Sequence, residues 1–323
     1  MIFGFNIICG IPDELAVDIL RKLNLQVGQY TFDTPVNNPI RSIGINYAGY
    51  HFLRINVNAG VLVSGKETLD IEFVKEPDFK VLDERFRDSL YEIVGNDIAN
   101  KLPSFRNWTL WIMRYAMDIK VDHINETMKL FGKTGIPAAN LNSSNAIGMI
   151  KPFETFTAKT AKLEIYPKSE LIKLGRIDYK LPVTPRDDSD TIRFYFQHKR
   201  SMMGYVKRLL TKFEIDLWSP ESFLHPLVVT GAFTTEYLNT IGGGDFYKYE
   251  TAVELIENTV SNAQNRRMLI EFLNTGIGDK KTIKLLQECG INRALINPDM
   301  KFDRIANPFN EIVKKCDNYI NFG

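Results

Sequence analysis

A tyrosine within a predicted strand is the first residue of this sequence that could carry out chemistry. In the stretch AKLEIYPKSELI, residues 161 to 172, apolar side chains at every second position predict a half-buried strand with Tyr166 on its polar face. A phenol has a pKa of about 10 and is a weak nucleophile at neutral pH, so it needs a cation, a base or a metal nearby. Lys168 is the predicted cation. A packing role, with the hydroxyl at the surface, is the alternative.

Four carboxylates lie on the non-apolar faces of predicted strands: Asp70, Glu72, Asp118 and Glu164. If these strands share one open sheet face, the oxygens could hold a hard divalent ion that withdraws charge from a phosphate. Each acid taken alone is more simply a solvated surface group. The four histidines include no two separated by a single residue, so any metal site here must depend on carboxylates.

Positive charge is concentrated between residues 191 and 213, where the sequence has no Asp or Glu. Aromatic residues alternate there with the cations Arg193, Lys199, Arg200, Lys207, Arg208 and Lys212. Such a strip suits contact with backbone phosphates and stacking on unpaired bases, and a solvated charged face is the alternative. Further on, Lys284 and Arg293 fall in KKTIKLLQECGINRALINPD, whose form of helix, glycine turn and second element is that of a helix-turn-helix.

The elements that must position these groups alternate between strands and helices. The N-terminal stretch MIFGFNIICG predicts a first strand, and strands are also predicted at 46–58, 69–75, 108–120, 161–168 and 191–199, with LVSG at 62–65 as a turn. The strand at 108–120 places Trp111 with Met113 on one side. Helices are predicted over 82–101 and after an N-cap at Asp122, the latter ending at Gly132 or Gly135.

From about residue 218 the pattern becomes helical with glycine punctuation, and IGGGDF at 241–246 predicts a turn into a helix. We therefore expect an α+β fold, in which an antiparallel sheet carries helices on one face and a smaller, mainly helical C-terminal domain follows. The predicted domains are residues 1–219 and 220–323.

Composition limits the cellular setting. The chain has 323 residues, a formal net charge of +1, and three widely spaced cysteines without a CxxC pair. No apolar run approaches the roughly 20 residues of a membrane span, and the N-terminus lacks the basic region of a signal peptide. These features predict a cytoplasmic protein with reduced thiols and no membrane partner.

Several stretches, in serial order, resemble the rolling-circle replication initiators of plasmids and phages of Gram-positive bacteria. WTLWIMRYAMDIK resembles the family's W-x-x-x-R-I-D-Y-A-x-D-I strand, LEIYPKSELI its I-Y-D-K-x-x-E-L strand, and IRFYFQHKR its L-R-F-E-V-Q-x-K-R strand. IGGGDFYKYETAVELI is similar to a G-x-G-D-Y-Y-T-L-x-x-A segment, and GINRALINPDMKFDRIANPF to a G-I-N-P-V-x-I-P segment ending in L-P-N-P. The likeness runs from about residue 69 to 310.

The resemblance implies a relaxase-like enzyme that binds the double-strand origin and nicks one strand through a tyrosine, with Mg²⁺ or Mn²⁺ bound by acidic side chains. A 5′-phosphotyrosyl link and a free 3′-hydroxyl would result. Tyr166 matches the family's tyrosine, and Asp118 and Glu170 match family acids. The implied partners are plasmid or phage origin DNA, the nicked single strand, a host helicase and polymerase, and a second copy in a homodimer.

The sequence departs from the family pattern at three acidic positions. Arg114 and Pro167 each replace an Asp, and Tyr195 replaces a Glu. Asp70, Glu72 or Glu164 could supply the missing ligands. Tyr195 and Tyr205 are rival nucleophiles. A non-catalytic origin-binding or copy-control protein, and an unrelated α+β domain that binds single-stranded RNA, are the alternative functions.

Overall fold

The architecture comes from a computed structural model of the chain. It describes residues 2–35, 37–65, 79–134, 142–143, 154–157, 161–169, 189–199, 211, 220 and 225–322. None of the helices in these ranges combines the length and the apolar character that crossing a membrane requires.

Nine strands of the described residues form one antiparallel sheet. In chain order they are β1 (Ile2–Gly10), β2 (Tyr30–Thr31), β3 (Ile40–Tyr47), β4 (His51–Asn58), β5 (Thr109–Lys120), β6 (Asn142–Ser143), β7 (Glu154–Thr157), β8 (Ala161–Pro167) and β9 (Thr191–Lys199). Their order across the sheet is β2-β3-β4-β1-β5-β9-β8-β7-β6. The strands predicted around Tyr166, Asp118 and Arg193 are confirmed, and β5, β9 and β8 are direct neighbours.

The described α-helices are α1 (Asp13–Leu23), α2 (Ala59–Ser64), α3 (Phe79–Val94), α4 (Asn96–Ala99), α5 (Ile124–Lys133), α6 (Pro226–Thr240), α7 (Tyr249–Thr259), α8 (Ala263–Thr275), α9 (Lys280–Glu288) and α10 (Phe309–Phe322). The first five lie between strands of the sheet in the chain, and the last five follow the final strand. The expected α+β class with an antiparallel sheet and a mainly helical C-terminal part is confirmed.

One face of the sheet carries the core. Phe5 of β1 packs on Phe105 at a ring distance of 5.8 Å, and Phe86 of α3 meets Trp108 edge-on at 5.5 Å. Because successive strand residues point to opposite faces, the apolar parity of each strand turns to this side. Burying each large apolar side chain contributes roughly 1.5–3 kcal/mol, so the face fixes the strand register firmly.

A β-bulge in β5 changes the predicted alternation. Asn6 of β1 pairs with Ile112, while the next residue, Ile7, pairs with Leu110, so Trp111 is the extra residue. Trp111 is therefore 39% exposed, whereas Leu110 joins Met113 in the core. The prediction that Trp111 shares the side of Met113 is wrong for this reason.

Helices α6 and α10 of the C-terminal part complete the same core. Phe233 of α6 lies 4.9 Å from Phe196 of β9, edge to face, and Tyr237 lies 5.3 Å from Phe194. Tyr237 also stacks on Phe309 of α10 at 5.6 Å. The sheet and these two helices thus share one apolar cluster. The predicted boundary at residue 219 lies outside the described residues and stays a prediction.

Helices α7, α8 and α9 form a second, smaller cluster around Ile256, Leu269, Phe272 and Leu286. The strand β10 (Phe246–Tyr247) precedes α7 in the chain and β11 (Arg304–Ile305) follows α9. These two strands pair antiparallel. The turn predicted at 241–246 to lead into a helix leads first into β10, and α7 begins only at Tyr249. The helix-turn-helix predicted at 280–299 is wrong, because residues 291–299 after Gly290 are not helical.

Three local expectations also changed. Residues 62–64 belong to α2, whose first turn is capped by the Asn58 side chain, and do not form a turn. The helix predicted over 82–101 is interrupted at Gly95, with φ 83°, between α3 and α4. The N-cap of α5 is His123, one residue after Asp122. The strand predicted at 69–75 lies outside the described residues.

Candidate functional site

Three side chains form one row across the strands β5, β9 and β8. Asp118 pairs in register with Arg193, and Arg193 pairs with Tyr166. Directly opposed residues place their Cβ atoms about 4.5–5.5 Å apart on the same face. Phe194 and Ile165, which alternate with this row, belong to the core, so the row lies on the opposite face of the sheet.

Asp118 is held by two buried cations. Its Oδ1 accepts a hydrogen bond from Arg193 Nε at 2.6 Å, and its Oδ2 accepts one from Arg193 Nη2 at 2.8 Å. Lys168 Nζ lies 3.2 Å from the same Oδ2. Burial alone would raise the pKa of Asp118, but Arg193 and then Lys168 outweigh it and hold that pKa below its ordinary value. The three side chains together carry one positive charge.

Tyr166 is a buried, neutral phenol, with 7% of its surface exposed. Burial raises the pKa of its hydroxyl well above 10, and Arg193 partly counteracts that rise. Glu164, Tyr195 and Asp118 each push the pKa of Tyr166 further up. The hydroxyl therefore keeps its proton at neutral pH, and its ionisation depends chiefly on Arg193.

The roles of the two cations differ from their predicted ones. Lys168 was predicted to favour the phenolate of Tyr166, but it pairs with Asp118, and Arg193 is the cation that lowers the pKa of Tyr166. Arg193 was predicted as a surface contact to DNA. It is instead only 2% exposed, and its guanidinium donates to both oxygens of Asp118.

The described acids do not fit a divalent metal ion. Both oxygens of Asp118 already accept from Arg193, and a metal at this carboxylate would meet two positive side chains. Glu164 lies two residues from Tyr166 on the same face of β8, while Asp70 and Glu72 lie outside the described residues. Within the described ranges, no three His, Cys, Asp or Glu side chains are arranged to hold a metal.

A second polar group on the same face of the sheet centres on Arg114. Its Nη1 donates to Asn6 Oδ1 of β1 at 2.7 Å and to Asn56 Oδ1 of β4 at 3.0 Å. Its Nε donates to Gln197 Oε1 of β9 at 3.3 Å. Arg114 thus joins four neighbouring strands through three amide side chains.

The Arg114 network leaves only donors on its outer side. An arginine cannot accept a hydrogen bond, so the amide oxygens of Asn6, Asn56 and Gln197 must face it, and their NH₂ groups point elsewhere. Among the described residues these NH₂ groups have no hydrogen-bond partner, and none of them is a fully buried donor. Two asparagines inside apolar strands, Asn6 and Asn56, were the main sign of this group in the sequence.

The other predicted site residues are placed as follows. Glu164 and Tyr195 pair in register and are both half-buried on the face of the row. Lys199 is the last residue of β9, and its side chain is not described. The rival nucleophile Tyr205 and the predicted DNA contacts Arg200, Lys207 and Arg208 lie outside the described residues, as do Glu170 and Lys212.

Lys284 and Arg293, predicted as DNA contacts, do come together. Both line one cavity of about 190 Å³ beside α9. A larger cavity of about 530 Å³ lies at the end of β5, between the first turns of α5 and α10. Its lining includes Lys120, Lys315, Asp122 and Glu311, so charges of both signs face it.

No protein-family model matches the chain, and no curated protein matches it either.

Proposed function

We propose that this protein is a rolling-circle replication initiator, which nicks one strand of its origin DNA through Tyr166. The observation that carries the proposal is the row of Asp118, Arg193 and Tyr166 on the polar face of the sheet. These residues come from the three stretches that resemble the family's strands. Their cross-strand register brings a phenol, a guanidinium and a carboxylate to one place, as a tyrosine nucleophile requires.

The proposed chemistry is a transesterification. Tyr166 Oη attacks the phosphorus, its proton passes to Glu164 directly or through one water, and the bond from phosphorus to O3′ breaks. The departing O3′ takes up a proton, which leaves a 3′-hydroxyl and a 5′-phosphotyrosyl link. Arg193 stabilises the developing phenolate, since its charge already lowers the pKa of Tyr166. Because the link keeps the bond energy, the reverse reaction can reseal the strand.

The proposed contact with the DNA strand rests on the hydrogen-bond donors of this face. Glu164 offsets the positive charge of the Asp118, Arg193 and Lys168 cluster, but the outward groups of the Arg114 network are donors. Phosphodiester oxygens only accept hydrogen bonds, so a nucleic-acid backbone complements such a surface. Arg114 lies four residues from Asp118 on β5, about 13 Å at the usual strand rise. In this proposal the DNA strand next to the scissile phosphate runs along the sheet face from Asp118 towards Arg114.

The partners in this proposal are the origin duplex, the nicked strand, and a host helicase and polymerase. The helical C-terminal part would contribute duplex contacts or a homodimer interface. A metal requirement, for Mg²⁺ or Mn²⁺, stays a prediction, and none of the steps above depends on a metal.

A second candidate function is origin binding without nicking. One observation favours it: Tyr166 is buried and its phenol is neutral, so an incoming phosphodiester must first gain access. Such a protein would keep the sheet face and its affinity for DNA but would leave the strand intact.

One experiment on supercoiled DNA separates the two functions. The substrate is a plasmid that carries the DNA flanking the gene of this chain, and binding and nicking are measured in the same samples with Mg²⁺, with Mn²⁺ or with EDTA. Rolling-circle initiation predicts conversion to open circles by the wild type and by Tyr50→Phe, an exposed control, but not by Tyr166→Phe. Binding without any nicking by the wild type would favour the second candidate.

A further inference from the structure

The cavity beside α9 has the form of a small binding site. It lies between the C-terminal end of α6 and one side of α9, and its volume of about 190 Å³ equals that of roughly six water molecules in the liquid. Gly242 forms part of its wall with φ 93°, and a Cβ at that position would come within 2.8 Å of Gln287 Nε2. Only glycine leaves the cavity open there.

The lining of this cavity is positive and rich in donors. Its polar side chains are Lys280, Lys284, Arg293, Asn239 and Gln287, and no Asp or Glu belongs to the described lining. The nearest acid in contact is Glu288, which meets Lys284 at 3.8 Å in an exposed pair. Such an exposed pair contributes little, so Glu288 does not neutralise the cavity.

Arg293 is the residue of this cavity that most clearly indicates a bound anion. Its Nη2 donates to the carbonyl of Thr240 at 2.8 Å, while its Nε is a buried donor that finds no partner among the described residues. Burial lowers the pKa of the guanidinium from its ordinary value. A partly buried guanidinium with no acid in the described lining is unfavourable, and an oxyanion in the cavity would offset its charge.

The larger cavity at the end of β5 does not share these properties. Lys120 and Lys315 face Asp122 and Glu311 there, and Lys315 Nζ already donates to the carbonyl of Asp118 at 2.7 Å. Opposite charges in one lining select neither an anion nor a cation.

We infer that the cavity formed by Lys280, Lys284 and Arg293 binds one phosphate group. The planar guanidinium of Arg293 supplies the directed donor at the base, and the two lysines supply charge at the mouth. The phosphate belongs either to a DNA backbone or to a free phosphate-bearing molecule. The site itself does not rest on the proposed nicking function; only the assignment of its phosphate to origin DNA does.

Inorganic phosphate is the first probe. The melting temperature of the full chain is measured in phosphate and in chloride at equal ionic strength, for the wild type, Arg293→Gln, Lys284→Gln and Lys281→Gln. Lys281 is exposed on the same helix but does not line the cavity, which makes it the matched control. We expect phosphate to raise the melting temperature by about 2 °C or more in the wild type and in Lys281→Gln. The gain should fall by half or more in the other two variants.

An equal gain in all four proteins would overturn the site, because phosphate also stabilises proteins without binding to them. Lys284 is exposed, so Lys284→Gln keeps the test decisive if Arg293→Gln does not fold.

A duplex of mixed sequence then identifies the source of the phosphate. If DNA fills the site, Lys284→Gln reduces the slope of log affinity against log salt by about 1 relative to Lys281→Gln. Equal slopes assign the site to a free phosphate-bearing molecule. Nicking is measured separately. If the wild type does not nick DNA but its melting temperature still rises in phosphate, the result counts against the proposed function alone.

Discussion

Asp118 controls the charge balance around Tyr166. It accepts both hydrogen bonds of the Arg193 fork and contacts Lys168, and all three groups are largely withdrawn from water. A carboxylate in this position keeps two cations in place beside a phenol. Its contribution to the site is therefore structural, and through Arg193 it also affects the ionisation of Tyr166.

We expect Asp118→Asn to destabilise the protein by about 3–5 kcal/mol, because two buried cations lose their carboxylate. The free energy of unfolding in urea measures this loss. Asp18→Asn is the matched control, since Asp18 also lies between two cations, Arg21 and Lys101, but at the surface. Its loss should stay within about 1 kcal/mol. Similar losses in both variants would show that burial does not strengthen the Asp118 cluster.

Because Asp118 must be ionised to bind its two cations, we expect the stability of the folded protein to fall in acid. The pKa of Asp118 is lower in the folded protein than its ordinary 3.8, so its contribution is complete above about pH 4 and is lost as the pH falls further. The free energy of unfolding, measured between pH 5 and pH 2, should therefore fall less steeply with pH in Asp118→Asn than in the wild type. An equal pH dependence in the two proteins would contradict the lowered pKa of Asp118.

Glu236 on α6 is a buried acid with the opposite behaviour. Burial raises its pKa to about 7, so the folded protein holds a proton that the unfolded chain has released above about pH 4.5. Stability is thus lost as the pH rises from about 4.5 through 7. We expect Glu236→Gln to be more stable than the wild type by about 1–3 kcal/mol at pH 8, with little difference at pH 5. A gain that is equal at both pH values would refute this.

Sequence analysis placed Tyr166, Asp118 and Arg193 on the polar faces of their strands but did not predict which of these groups pair with one another. Tyr166, Lys168, Asp118 and Arg193 were each identified by residue type and strand parity. The exchange of roles between Lys168 and Arg193 depends on cross-strand register, which no short-range pattern contains. The Arg114 network was missed for the same reason, since its amides lie on three other strands.

At the scale of elements, the register of β4, β1, β5 and β9 creates the donor surface. Asn56, Asn6 and Gln197 each reach Arg114 only because these strands are neighbours in that order. The arrangement is rigid, because the opposite side of every strand is fixed in the core.

Two isosteric changes test whether this surface binds DNA. Asn56→Asp and Gln197→Glu keep an oxygen for Arg114 but remove two donor hydrogens and add a negative charge. We expect the affinity for a single-stranded oligonucleotide to fall by about tenfold or more, equivalent to about 1.4 kcal/mol, with no loss of thermal stability. Fluorescence anisotropy and thermal unfolding measure the two quantities.

Asn96→Asp, an exposed change on α4, controls for the added charge alone. If Asn56→Asp and Gln197→Glu bind as well as the wild type, the network has only a structural role.

Most elements could be predicted from periodicity, and the exceptions have local causes. β5, β8, β9 and the C-terminal helices followed from alternation and helical spacing. The bulge at Trp111 depends on the partner strand β1, and α2 forms because Asn58 caps a segment that sequence alone favours as a turn. The segment after Gly290 is not helical because it pairs with residues before α7, through the bridge of Ile291 with Asp245 and the hydrogen bond from Ile296 N to the carbonyl of Tyr247.

At the scale of the whole molecule, one face of a wide sheet is used for stability and the other for polar contacts. Helices from both ends of the described chain pack on the apolar face, including α6 and α10 through Phe233 and Tyr237. The sequence predicted this α+β class but not the shared core, because the contact between α6 and β9 is long-range. The row and the Arg114 network lie on the opposite face, and our proposal places the DNA contact there.

The central claim is that Tyr166 forms a covalent bond with DNA. Single-stranded suicide oligonucleotides, tiled across the DNA that flanks the gene, trap such a link because the cleaved fragment dissociates before resealing. We predict a denaturant-resistant protein–DNA adduct with the wild type and with Tyr195→Phe, the neighbouring tyrosine on the same face, and no adduct with Tyr166→Phe. An adduct that persists in Tyr166→Phe would contradict the account.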